Sequence, residues 1–354
     1  MSETFPEPNA FTKSLFEKLV SHPKRIVFPE GEDLRILRVA AEMVRREIGV
    51  PILLGKVKRM RKLAADNSID LTFVRMIDPK ESSDLKLFCG YYEKSENARG
   101  IRVAMVEQTV SKPQNFGAMM VQYGHADGMV SGNKVLPAVT YRAVLHMIKP
   151  LADVPKVFST TLLVAPHLDH FGHEGFMLLA DTGVIPDPES YDLASIAVET
   201  GKLAHHLLGR KPRVCMLSHS TKGSTNTPGA QRVRAATALA QKMVKDQGLT
   251  VRVDGELQAD VALDAESAEI KLESEKKIHA PDVMVFPNLD AAHISMKLLQ
   301  HVGGAQNYGS LIMGCSKPTA QVPRTASIET ILGTAALVGV EAIKFNQLHL
   351  DDAL

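Results

Sequence analysis

The chain has 354 residues, of which 45% are hydrophobic and 23% charged, the make-up of a globular protein with room for two domains of ~150 residues. Lys plus Arg minus Asp plus Glu is 41 − 40 = +1, which offers no footprint for a nucleic-acid backbone or an anionic membrane. Three scattered cysteines make no disulfide framework, no apolar run reaches the ~18 residues of a membrane span, and the polar segment Met1–Lys13 reads as no signal peptide.

A cytoplasmic α/β protein that handles small molecules is therefore expected, and its elements alternate almost from end to end. Arg25–Phe28 reads as a strand and Asp33–Ile48 as a helix with Leu34, Leu37, Val39, Ala40 and Met43 on one side. Pro51–Leu54, Val57–Asn67 and Leu71–Ile77 follow as strand, helix and strand. Met129-Val130, Val157–Leu163, Val214–Leu217, Val251–Val253, Val283–Phe286 and Leu311–Met313 continue the rhythm. Strand-helix-strand alternation of this kind means crossover units and a mostly parallel sheet buried on both faces. A long helix ends in the Pro-bearing turn Lys149–Asp153, and the apolar helix Ser327–Asn346 must pack on something already built. The simplest organisation is a discontinuous first domain, 1–153 plus 310–354, around a second domain, 154–309.

Several strand-to-helix junctions carry polar groups. In Phe28–Asp33 the acidic residues suit a helix N-terminus. Ala126–Gly132 leads a strand into a Gly-containing turn and then a helix bearing Arg142, so Ser131, Gly132 and Arg142 are candidates for holding a phosphate. Leu217–Ser224 offers the hydroxyls of Ser218, Ser220, Thr221 and Ser224, the ammonium of Lys222, and Gly223. Its glycine spacing is that of neither a Walker A loop nor a dinucleotide fingerprint, and a plain polar loop accounts for it as well as a phosphate site does. Asp254, Glu256 and Asp260 suit a hydrogen-bonding rim better than a metal site. His167–His173 matches no zinc spacing and reads as an exposed loop. The run Lys56, Lys58, Arg59, Arg61, Lys62 reads as a solvated helix face, and Cys315 as a small packed residue rather than a nucleophile.

Taken in order, Arg25–Asp33, Asp127–Gly132, Met216–Ser224, Asp254–Asp260, Phe286–Ala292, Gly303–Ala305 and Lys317-Pro318 followed by Arg324 resemble the phosphotransacetylase family over about residues 14–346. The resemblance implies two three-layer α/β/α domains with a cleft between them, like isocitrate and isopropylmalate dehydrogenases, in a homodimer formed across the second domain. It implies reversible acetyl or short-acyl transfer between coenzyme A and inorganic phosphate, with CoA as substrate and no bound cofactor or metal. Arg324 matches the family's catalytic arginine and Arg142 a second, phosphate-facing one, eleven residues beyond Ser131; Lys317 falls in the substrate-binding set. Three positions depart from the pattern. Pro323 stands where a serine is usual, Thr330 beside Glu329 where an acetyltransferase has aspartate, and Asn133–Pro137 where a histidine and hydroxyls are usual. A third family arginine has only Lys94 or Arg99 as a counterpart.

The Glu329-Thr330 pair is similar to the phosphate butyryltransferase branch. Phe116–Val121 is similar to the acyl-CoA-sensing domain of large malic enzymes, which lacks an arginine at the position of Arg324. Retention of Arg324 and Arg142 points to a working acyltransferase. A dehydrogenase of the shared architecture needs a metal-binding aspartate set and an arginine trio that the sequence does not offer. The chemistry itself requires that a thiol of pKa ~8.5 attack an acyl carbonyl while phosphate leaves. Arginines suit the phosphate and the oxyanion, and with the usual aspartate replaced, Glu329 is the expected acceptor of the thiol proton.

Overall fold

Alternation of apolar runs and amphipathic helices supplies the strands and flanking helices of each unit. The computed structural model describes residues 5–95, 103–168, 171–272 and 280–351. The chain divides into one unit comprising Met1–Leu151 with Cys315–Leu354 and another comprising Ala152–Gly314.

In the first unit, β1 (Lys24–Phe28), β2 (Gly49–Leu54), β3 (Arg75–Ile77), β4 (Gly128–Ser131) and β11 (Thr319–Gln321) form a parallel sheet in the order β3-β2-β1-β4-β11. Every residue of β4 and of β11 is buried, and consecutive buried residues mean that both faces of the sheet are covered. The helices responsible include α2 (Leu34–Arg45), α6 (Pro113–Gln122) and α13 (Ile328–Asp351). Gly128 shows how closely α13 approaches: a Cβ there would lie 2.3 Å from Val338 Cγ1. α1 (Ala10–Ser21), N-capped by Asn9, packs in turn on α13. Arg25 ties β1 to the start of β4 by donating to both carboxylate oxygens of Asp127 (2.8 and 3.1 Å). Burial opposes ionisation of Asp127, but these bonds outweigh it and hold its carboxyl below the ordinary range.

The second unit orders β10 (Gln306–Met313), β5 (Phe158–Val164), β6 (Phe176–Ala180), β9 (Val283–Val285), β7 (Arg213–Leu217) and β8 (Arg252–Leu257) in that sequence across its sheet. Its core gathers Leu163, Leu179, Cys215, Leu217, Leu257, Met284 and Phe286. Long helices α8 (Ser190–Leu208) and α9 (Pro228–Asp246) pack together.

Two expectations are corrected. The strand expected over Leu71–Ile77 is confined to Arg75–Ile77, because Asp70 accepts from Thr72 in a side-chain turn (2.8 Å) and Phe73 adopts a φ of 68°. The sheet is mostly parallel as expected, and the β10–β5 and β5–β6 pairs are its antiparallel ones among the described residues. Pairing with β5 carries all of β10 into the second unit, so the chain returns to the first at Cys315 rather than within that strand. No helix among the described residues is long and apolar enough to cross a membrane.

Candidate active site

The parallel first sheet brings the loops after β1, β4 and β11 to one edge. Strand order reverses between β1 and β4, since β2 and β3 continue to one side of β1 while β4 lies on the other. A crevice outside the carboxyl ends of strands at such a switch point is where open α/β sheets bind ligands. At this edge Glu30, in the loop after β1, ties the neighbouring loops together. Its Oε1 accepts from Ser131 Oγ (2.9 Å), Gly132 N–H (3.1 Å) and Gln114 Nε2 (3.2 Å), while Oε2 is buried with no partner. Burial pushes this carboxyl above its ordinary range despite the three donors.

Ser131 is wholly buried and also touches Thr140 Oγ1 at 3.1 Å, so its hydroxyl serves the wall of the turn and does not reach the surface. Gly132 (φ 116°) is the only residue type that fits where it stands, because a Cβ would lie 2.5 Å from Val322 O. The turns after β4 and β11 therefore abut, and Val322 N–H donates to Ser131 O at 2.8 Å.

Beyond Val322 the chain turns outward. Arg324 is exposed, as is Arg142 on α7 (Pro137–Met147), and among the described residues neither guanidinium has a side-chain partner. Ser327 caps α13 by accepting from Thr330 N–H (3.1 Å), and its hydroxyl donates to Thr330 Oγ1 (3.2 Å). Glu329 and Thr330 thus sit side by side in the first turn, about 100° apart around the helix, with Thr330 committed to the cap. Lys317 is not brought to this edge. It precedes β11, whereas Arg324 follows it, and the five-residue advance from Lys317 to Val322 spans about 16 Å.

Arg35, on the first turn of α2, was not singled out from the sequence. Its Nε and Nη2 donate to Asp33 (3.1 and 3.0 Å), Nη2 also to Asn133 O (2.9 Å), and Nη1 to Arg324 O (2.8 Å) and Ala326 O (2.9 Å). An arginine near a helix start carries no local signal of this; its three carbonyl acceptors lie 98 to 291 positions away.

In the second unit, the loop after β7 wraps around Glu256 at the end of β8. Glu256 accepts from Ser220 Oγ (3.1 Å), Gly223 N–H (2.8 Å) and Arg234 Nη2 (3.0 Å). Burial raises its pKa, but Arg234 and the two other donors outweigh that and hold it below the ordinary carboxylate range. Ser224 Oγ accepts from Thr221 N–H (3.0 Å), Ser218 Oγ from Ser220 N–H (3.2 Å), and Lys222 is ion-paired with Asp254 and donates to Gly255 O (2.7 Å). The groups expected to meet a phosphate are thus engaged in holding their own loop.

Asp260 pairs with Lys271 (2.6 Å) and the basic side chains of α3 (Val57–Asp66) are exposed. His167 and His173 are exposed between β5 and β6, His167 meeting Gly303 O at 2.8 Å; Asp169 and His170 lie outside the described residues. No group of three or more His, Cys, Asp or Glu among the described residues could hold a metal. Cys315 is buried and its thiol pushed up to about 12 by burial, which leaves no thiolate at neutral pH. Lys94 follows α4 (Leu85–Glu93), while Arg99 lies outside the described residues.

Comparison with known proteins shows the family of the chain. The family model described as phosphate acetyl/butaryl transferase matches residues 10–339. A phosphate acetyltransferase of Acetivibrio thermocellus is 33% identical over 333 residues, covering 94% of this chain and 98% of its own. A solved phosphotransacetylase from Streptococcus pyogenes superposes with a TM-score of 0.85 at 31% identity, covering 95% of this chain and 98% of that one. The 4-hydroxythreonine-4-phosphate dehydrogenase of Klebsiella pneumoniae shares the fold alone, with a TM-score of 0.50 at 11% identity over 90% of this chain and 99% of that one.

Proposed function

The chain belongs to the phosphate acetyl/butyryl transferase family, and from that premise we propose that it transfers an acetyl group reversibly between coenzyme A and inorganic phosphate. The observation that carries this reading is the exposed Arg324 at the β1/β4 switch-point edge, joined on the turn after β11 to the glycine turn after β4. In one direction the CoA thiolate attacks the carbonyl of acetyl phosphate, the C–O bond to phosphate breaks, and phosphate leaves with the electron pair. The reverse step attacks the thioester with a phosphate oxygen and releases the thiolate. Arg324 stabilises charge on the carbonyl oxygen as it becomes tetrahedral, and Arg142 grips the phosphate. Holding both reactants together supplies much of the rate, so no covalent enzyme intermediate is needed.

Only a few per cent of a thiol of pKa ~8.5 is thiolate at neutral pH, and Glu329 takes its proton directly or through one water. Glu329→Gln is expected to lower kcat about 10-fold or more at pH 7 and progressively less above pH 8.5, where CoA ionises unaided. A profile that is scaled equally at every pH removes Glu329 from the proton transfer.

Initial rates with acetyl-, propionyl- and butyryl-CoA plus phosphate, read as thiol release, test the substrate: acetyl-CoA is expected to give the highest kcat/KM. Highest activity with butyryl-CoA would assign the chain to the butyryl branch, in keeping with Glu329-Thr330. The protein acts as a cytoplasmic homodimer joined through its second unit, where Ile294, Leu298 and Val302 form an exposed apolar stripe spaced every fourth residue on α12 (Leu289–His301) and its cap. A reducing compartment suits its three free cysteines.

A further inference from the structure

We propose that Arg35 is a positioning residue for Arg324, holding the catalytic loop through its backbone instead of binding a substrate itself. The inference rests on the reading of Arg324 given above. A guanidinium has five N–H donors in a rigid fork and no acceptor. Arg35 spends all five on acceptors of this unit: two on Asp33, one on the Asn133 carbonyl, and two on the carbonyls of Arg324 and Ala326. None is left for a phosphate, and the bidentate pair with Asp33 (Nη2 to Oδ2 3.0 Å) neutralises the charge an anion would seek.

What the five bonds join explains the arrangement. Asp33 N-caps α2 and lies in the loop after β1; Asn133 lies in the turn after β4; Arg324 and Ala326 flank the residue that follows the catalytic arginine. One planar group therefore locks together the three loops that edge the switch point. The segment 322–327 belongs to no helix or strand, and Pro323 has no N–H with which to anchor it. Two carbonyls held 2.8 and 2.9 Å from a single nitrogen fix the backbone from which the Arg324 side chain springs. Lysine offers one nitrogen and cannot span three loops.

Arg35→Lys and Arg35→Gln should each lower kcat by about 10- to 100-fold, the scale of a displacement of about 1 Å in a catalytic group, with the KM for phosphate and for CoA changed less than about threefold. The deciding measurement is a double-mutant cycle. If Arg35 acts through Arg324, adding Arg35→Lys to Arg324→Ala costs less than about twofold more in kcat. Multiplying losses, or a large rise in either KM on replacing Arg35 alone, would make Arg35 a substrate ligand and overturn the proposal. Guanidinium ion should partly restore kcat to Arg35→Ala, a rescue that a general loss of fold does not permit; absence of rescue in a variant with unaltered circular dichroism also counts against it. Failure of the underlying reading is separately visible, because Arg324→Ala alone would then keep near-normal kcat.

Discussion

Arg324→Ala should lower kcat by ~10²–10³, the loss that follows removal of one donor aimed at developing charge, without loosening the fold. The residue is exposed and its guanidinium holds no partner among the described residues, so the substitution opens no cavity and orphans no buried group. Its effect on stability should stay within about 0.5 kcal/mol. The contact that matters to the loop uses the Arg324 carbonyl, which alanine retains. Arg324→Lys should recover only part of the rate, because an ammonium lacks the fork that matches a phosphate or oxyanion. Arg142→Ala in the same assays should raise the KM for phosphate with a smaller change in kcat. Unaltered kcat in Arg324→Ala would remove that residue from the mechanism.

Glu341→Gln is expected to stabilise the protein at alkaline pH by about 3–4 kcal/mol. Glu341 lies wholly inside α13, and burial, only partly offset by the charges of Lys344 and Lys18, pushes its carboxyl up to about 7 from 4.5. Between those values the unfolded chain has released its proton while the folded chain retains it. Stability is then fully present below pH 4.5, falls as pH rises towards 7, and reaches its full penalty above 7. A rise of 7 − 4.5 = 2.5 pKa units, at about 1.4 kcal/mol each, gives the quoted size. Glutamine keeps the shape and carries no proton to lose. Urea denaturation of both proteins at pH 5 and pH 8.5 checks this: the advantage of the variant should grow with pH. An advantage independent of pH would place an ionised or solvated carboxylate at that position.

What could be read from the sequence was set by how local the determining interactions are. Arg25–Phe28, Pro51–Leu54 and Val214–Leu217 announce themselves because a strand buried on both faces must be apolar throughout. Thr319–Gln321 does not. Its three residues become a strand only through pairing with Met129, Val130 and Ser131, nearly two hundred positions earlier. Phe176–Ala180 is apolar enough, but the histidine-rich turn before it hides the antiparallel partner of β5. The candidate site divides in the same way. Arg142 stands out because an arginine on the helix after a glycine turn suits phosphate, and Arg324 through the resemblance carried by its Lys-Pro motif. Lys317 looked equivalent by motif, yet the direction of β11 carries it to the other end of the strand. Ser220 and Lys222 looked like phosphate donors until Glu256 and Asp254 were brought against them by the β7–β8 pairing. Arg35 had no signature at all, since all but one of its acceptors are backbone carbonyls or residues that folding alone brings near.

The measurement closest to the central claim is the appearance of thioester absorbance when the purified protein meets acetyl phosphate and coenzyme A, with the reverse reaction followed from acetyl-CoA and phosphate. Turnover is expected in both directions, with one acetyl-CoA formed for each acetyl phosphate consumed and near-complete loss in Arg324→Ala. Binding of acetyl-CoA with no phosphate-dependent turnover in either direction would contradict it.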